Sequence, residues 1–161
     1  MITLNEKMLA TTDISGRGGK ERAIESLLEG DWERKNEPLY DLENPQGLRV
    51  EAKKQQNTQW FDLKKYYNLD AESKSIVMLF VCYKKQHGID LVASCTLGEF
   101  LEFVVDHPDY VKGGWQSAII QREYLNSQVA PQMQSKAKLN VRSFINDKTS
   151  PVDIHFKKDN N

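Results

Sequence analysis

The segment Ser75-Ile76-Val77-Met78-Leu79-Phe80-Val81-Cys82-Tyr83 carries no charge and no strongly polar group from Ile76 onward. A strand apolar on both sides has to be covered on both sides, so this run predicts a central strand buried between layers. Ile89-Asp90-Leu91-Val92-Ala93-Ser94 follows across Lys84-Lys85-Gln86-His87-Gly88, a connection short enough for a hairpin. The pattern then changes period: Leu97-Gly98-Glu99-Phe100-Leu101-Glu102-Phe103-Val104-Val105 has helical spacing, and Pro108 stops it. This helix is predicted to cover the sheet. The class is α/β, with a central mixed β-sheet flanked by helices.

At 161 residues and 39% hydrophobic content the chain is about one domain long, and a single domain over residues 1–161 is expected. Cys82 and Cys95 lie in apolar, strand-like segments without CxxC spacing or adjoining histidines. They are expected to be buried thiols, which suits a reducing, cytoplasmic setting. No apolar run reaches membrane-spanning length, and the first residues lack the charged and apolar regions of a secretory signal. His87, His107 and His155 stand in separate segments, which gives no zinc pattern, and neither a Gly-x-Ser-x-Gly elbow nor an HExxH segment occurs.

The chemistry-bearing candidates cluster earlier. In Leu48-Arg49-Val50-Glu51-Ala52-Lys53-Lys54-Gln55, strand alternation puts Val50 and Ala52 on one face and Glu51 and Lys53 on the other. Asp41 stands ten residues before Glu51, and Glu43-Asn44-Pro45-Gln46-Gly47 between them reads as a turn that folds Asp41 back beside Glu51. Two carboxylates on neighbouring strands form a hard oxygen site suited to Mg²⁺, which keeps several waters for a phosphate to replace. Lys53 is placed to hold the attacking water and to offset charge on a scissile phosphate. The competing first acids are Asp31 and Glu43; position ahead of the turn favours Asp41. The bland alternative is a solvated strand face with surface ion pairs to Arg49 and Lys54.

From Gly18 to Val92 the order of helix, acid, turn, acid-x-lysine and apolar strands resembles the PD-(D/E)xK nuclease superfamily. Tyr40-Asp41 stands where the family name has Pro-Asp. The resemblance implies a restriction endonuclease-like fold and Mg²⁺-dependent hydrolysis of DNA phosphodiester bonds. Asp41 and Glu51 would be the metal ligands and Lys53 the residue that acts on water. Gln55 on the same face is a weaker transfer, as is Glu25 as an auxiliary helix acid. A type II restriction enzyme cutting double-stranded DNA as a homodimer is the leading expectation. A repair or junction nuclease and a non-catalytic nucleic-acid-binding module are the alternatives.

A net charge of −1 does not announce a nucleic-acid binder, so positive charge would have to be concentrated locally. Lys20 to Glu29 reads as a helix with Ala23, Ile24, Leu27 and Leu28 as its apolar stripe and Gly30 as its stop. Before it, Ser15-Gly16-Arg17-Gly18-Gly19-Lys20 lacks Walker spacing but offers Arg17 and Lys20 as backbone contacts. Lys136, Lys138 and Arg142 form a short basic segment and are the C-terminal candidates for DNA contact. Trp60 to Tyr67 is expected to be a short helix or aromatic loop. Gln116 to Leu125 is expected to be a helix, and Pro151 to Phe156 an edge strand.

Overall fold

The computed structural model describes residues 2–9, 20–55, 58–62, 69–84, 88–107, 111–113 and 136–158. Among them the elements run α1 (Glu6–Leu9), α2 (Lys20–Leu27), β1 (Glu33–Arg34), β2 (Leu42–Glu43), β3 (Arg49–Gln55), β4 (Thr58–Asp62), α3 (Ala71–Lys74), β5 (Val77–Lys84), β6 (Gly88–Thr96), α4 (Leu97–Asp106), β7 (Val111–Gly113), β8 (Lys136–Asn140), α5 (Val141–Asn146) and β9 (Asp153–Lys157). Six strands make one sheet in the order β1-β2-β3-β5-β6-β9, and β4-β8-β7 make a second. In the larger sheet β3 and β5 are parallel while every other neighbouring pair is antiparallel. The fold is therefore mixed α/β.

β5 is the central strand that its composition requires. Met78, Phe80 and Cys82 face a core built with α4 and α5, through Phe100, Leu101, Phe103, Val104, Val141, Phe144 and Ile145. Leu79 and Val81 face the other core, with Ile24, Leu27 and Leu28 of α2, Leu9 of α1 and Ile2 and Leu4. Both sides of the strand are sealed, so alternation has no polar phase to show. β6 continues both cores with Leu91, Ala93 and Cys95 on one face and Val92 on the other.

α4 begins with a reciprocal cap: Glu99 N–H donates to Thr96 Oγ1 at 3.1 Å, and Thr96 N–H donates to Glu99 Oε1 at 2.9 Å. It ends at His107, whose ring stacks on Phe103 with centroids 4.0 Å apart. α2 stops at Leu27, two residues short of the expected end. Leu28 instead bridges Leu4, and Glu29 N–H donates to Thr3 carbonyl at 2.9 Å, so the amino-terminal segment takes over the backbone pairing. Pro151 to Phe156 yields the edge strand β9.

Of the segment Trp60 to Tyr67, expected as a short helix or aromatic loop, residues 60–62 differ from expectation and residues 63–67 lie outside the described residues. Thr58–Asp62 is a strand, not a helix or loop, and pairs antiparallel with β8 from Thr58↔Asn140 to Asp62↔Lys136. β-branched and aromatic residues favour the strand once a partner exists, and that partner lies almost 80 positions away. Cys82 and Cys95 are buried thiols in no disulfide, as expected, and burial raises the Cys95 thiol far above its usual range. No helix among the described residues is long and apolar enough to cross a membrane. Arg17, His87 and the expected Gln116 to Leu125 helix lie outside the described residues.

Candidate functional site

The turn between β2 and β3 is built by Asn44. Its Oδ1 accepts from Gln46 N–H at 3.1 Å and Leu48 N–H at 2.8 Å, and its N–H donates to the Leu48 carbonyl at 3.0 Å. Gly47 takes φ 85°, a left-handed conformation that a side chain would strain. The hairpin that results pairs Leu42 with Val50 and Glu43 with Arg49. Continued by one residue, that register sets Asp41 opposite Glu51.

The chain leaves the ladder at Asp41 through a specific exchange. Asp41 N–H donates to the Val50 carbonyl at 2.8 Å, and Asp41 Oδ2 accepts from Ala52 N–H at 3.0 Å. The side chain thus supplies the acceptor that a departing strand no longer provides. This fixes the Asp41 carboxylate against β3. Among the described residues nothing else binds it.

Val50 and Ala52 are buried against α2, so Glu51 and Lys53 project from the other face of β3. Lys53 Nζ lies 3.0 Å from Glu51 Oε1, and the two side chains are 19% and 14% exposed. An exposed pair contributes little, whereas this one is mostly withdrawn from water and holds its geometry. The Glu51–Lys53 pair on β3 and Asp41, held to the Ala52 N–H, thus lie on the two arms of one hairpin. Gln55 closes β3 opposite Cys82 of β5.

The competing acids are engaged elsewhere. Glu43 Oε2 accepts from Arg49 Nε at 2.9 Å, and Arg49 also reaches Glu72 at 2.9 Å and lies over the Tyr40 ring. Glu25 is directed away from the group. It lies 3.8 Å from Arg34 and, with Asp31, Trp32, Glu43 and Asn44, lines a cavity of about 540 Å³. Its helix packs on the face of the sheet opposite Glu51 and Lys53.

Of the basic candidates, Lys20 opens α2, and Lys136 and Lys138 sit in β8 opposite Asp62 and Trp60. Arg142 holds Asp90 at two points, 2.7 and 2.9 Å, and donates to the Tyr83 carbonyl at 3.0 Å. It ties α5 to β5 and β6. Arg49, read from the sequence as an ion-pairing neighbour, alternates onto the same strand face as Glu51 and Lys53 and joins β2, β3 and α3 through its carboxylate partners.

One titrating pair lies at the other side of the sheet. A register shift in the β6–β9 pairing leaves His155 as the extra residue, and its Nε2 shares a hydrogen bond of 2.6 Å with Ser94 Oγ. Burial lowers the pKa of His155 from 6.5, with Asp153 opposing the shift. A histidine harder to protonate when folded leaves stability intact above pH 6.5, and stability falls as pH drops below that value toward the folded pKa. Chemical denaturation across pH 5 to 8 is expected to show this fall, reduced in His155→Gln; equal slopes in both proteins would refute it.

The donor set decides which ion the site suits. Among the described residues no three His, Cys, Asp or Glu side chains converge on one point. Mg²⁺ binds through one or two carboxylates and leaves its other positions to water and phosphate, and Asp41 and Glu51 would be the residues to hold it. No protein-family model matches the chain, and no curated protein matches it in sequence.

Proposed function

We propose that the chain is a Mg²⁺-dependent endonuclease of restriction endonuclease-like fold that hydrolyses phosphodiester bonds in double-stranded DNA. The observation that carries this reading is the Asp41, Glu51 and Lys53 group: an acid at the end of one strand, facing an acid-x-lysine strand across a tight hairpin. Asp41 and Glu51 would hold the ion, which when bound supplies Lewis acidity toward a phosphate oxygen and lowers the pKa of water. The Ala52 N–H fixes the rotation of the Asp41 carboxylate, so that ligand is oriented before the ion arrives. The Lys53 ammonium, steadied by Glu51, orients the attacking water and stabilises charge that develops on the phosphate.

A restriction-type enzyme that cuts both strands needs two such groups, which a homodimer supplies by symmetry. Two buried thiols in no disulfide suit a reducing cytoplasm. The test is conversion of supercoiled plasmid to nicked and linear forms. Cleavage is expected with Mg²⁺, absent in EDTA, and lost in Asp41→Asn while the variant keeps its thermal midpoint within a few degrees. If duplex, junction and single-stranded DNA all stay intact with Mg²⁺, the reading is wrong and a binding module takes its place.

A further inference from the structure

Net charge close to zero conceals a division of charge along the large sheet. β3 and β5 run parallel, β6 runs back, and β9 pairs with β6 so that Lys157 lies opposite Leu91. The ends of β3, β5 and β9 therefore meet at one edge, with the start of β6. Lys54, Lys84, Lys157 and Lys158 stand there; Lys84, Lys157 and Lys158 are exposed, and Lys54 lies over the Tyr83 ring. Among the described residues Asp90 is the acid on these strand ends, and the two-point ion pair with Arg142 neutralises it.

The other end of the sheet has the opposite character. Glu43 follows Leu42 there, Asp70 and Glu72 precede β5, Glu99 follows β6 and Asp153 opens β9. Arg49, Lys35 and Lys74 offset only part of that charge. The field thus has a direction, from an acidic end to a basic one, and Lys53 lies on the basic side of Glu51.

We infer that the basic end of the sheet is the surface on which a DNA duplex lies, its phosphates met by Lys54, Lys84, Lys157 and Lys158; this rests on the nuclease reading above. β3 and β9 stand three strand spacings apart, roughly 14 Å, with Lys54 level with Val81 on β3, Lys157 level with Leu91 on β9, and Lys84 reaching further out at the end of β5 between them. That length is close to the major-groove width of about 12 Å, so cations at its two ends reach phosphates on both rims. The smaller sheet leaves from the same end. β4 follows β3 after two residues, and α5, whose Arg142 grips Asp90, follows β8 directly. β8, which carries Lys136 and Lys138, runs directly into α5.

The inference is tested by anisotropy of a labelled duplex titrated with the full chain in EDTA, where no cutting occurs, over a series of salt concentrations. Each phosphate contact adds about 0.9 to the slope of log K against log salt, so Lys84→Gln/Lys157→Gln/Lys158→Gln is expected to flatten it by about 2 to 3. Lys74→Gln, at the acidic end, is expected to leave the slope as it is. An unchanged slope in the triple variant, an equal loss in Lys74→Gln, or no binding by the parent chain would each overturn the inference. Duplex that is bound with the expected slope but never cut in Mg²⁺ would remove the nuclease reading and leave the interface standing. Cutting together with an unchanged slope would do the reverse.

Discussion

Phe144→Ala is expected to lower the thermal midpoint by roughly 10 °C, the largest effect on stability of any single substitution argued here. Phe144 is fully buried, and its ring meets Phe80 and Phe100 at 5.5 Å and Phe103 at 4.9 Å, each edge to face or nearly so. These three rings come from β5 and α4, so one side chain closes the seam between sheet, α4 and α5. Truncating a buried phenylalanine costs about 3–5 kcal/mol, from lost transfer energy and from the cavity left behind. A domain of this size has about 5–15 kcal/mol in all and loses about 2–4 °C for each kcal/mol. Phe144→Leu fills most of the space and forfeits mainly the aromatic geometry, about 0.5–1.5 kcal/mol. A midpoint shift under about 3 °C for the alanine variant would mean that α5 does not close this core. The consequence reaches beyond stability, because α5 fixes where β8 and its lysines leave the main sheet.

How much of this was legible beforehand depends on whether a feature is local. β5 was visible because burial on both faces removes every polar residue from its middle, and α4 because its stripe and stop lie within about a dozen residues. The β2–β3 hairpin was visible for the same reason: the Asn44-Pro45-Gln46-Gly47 turn sets its register within ten residues. β4 was misread because its partner, β8, is distant in sequence. A segment with aromatic residues and no clear alternation takes the conformation its partner dictates, and local propensity does not name that partner.

The basic end of the sheet was hidden by topology, not by composition. Lys53-Lys54, Lys84-Lys85 and Lys157-Lys158 are lysine pairs in the sequence, each at or just past the last residues of an apolar or alternating segment. Only the parallel pairing of β3 with β5, and the return of β9 beside β6, puts those segment ends together. Arg142 shows the opposite case. It belongs to a short basic stretch, yet its guanidinium is occupied by Asp90 and the Tyr83 carbonyl, so its work is to anchor α5.

Mg²⁺ is expected to stabilise Lys53→Met and not Glu51→Gln, a difference that a simple ion pair would not produce. In the parent chain, Mg²⁺ at ten times its dissociation constant stabilises the fold by about 1.4 kcal/mol through binding the native state alone. Glu51→Gln removes a ligand and leaves the Lys53 ammonium, 19% exposed, without its carboxylate at 3.0 Å. That variant is expected to lose about 1–2 kcal/mol in EDTA, less than a fully buried pair would cost, and to gain nothing from Mg²⁺. Lys53→Met keeps both acids and removes the cation beside them. On the proposed metal site, losing that cation leaves the ion bound at least as tightly, and the Mg²⁺-dependent rise in midpoint is expected to persist or grow. Turnover nevertheless falls about 10²–10³-fold, because the donor that stabilises charge on the phosphate is gone. Equal midpoints with and without Mg²⁺ in all three proteins would identify the pair as structural and dispose of the metal site. A rise that survives in Glu51→Gln would place the ion elsewhere.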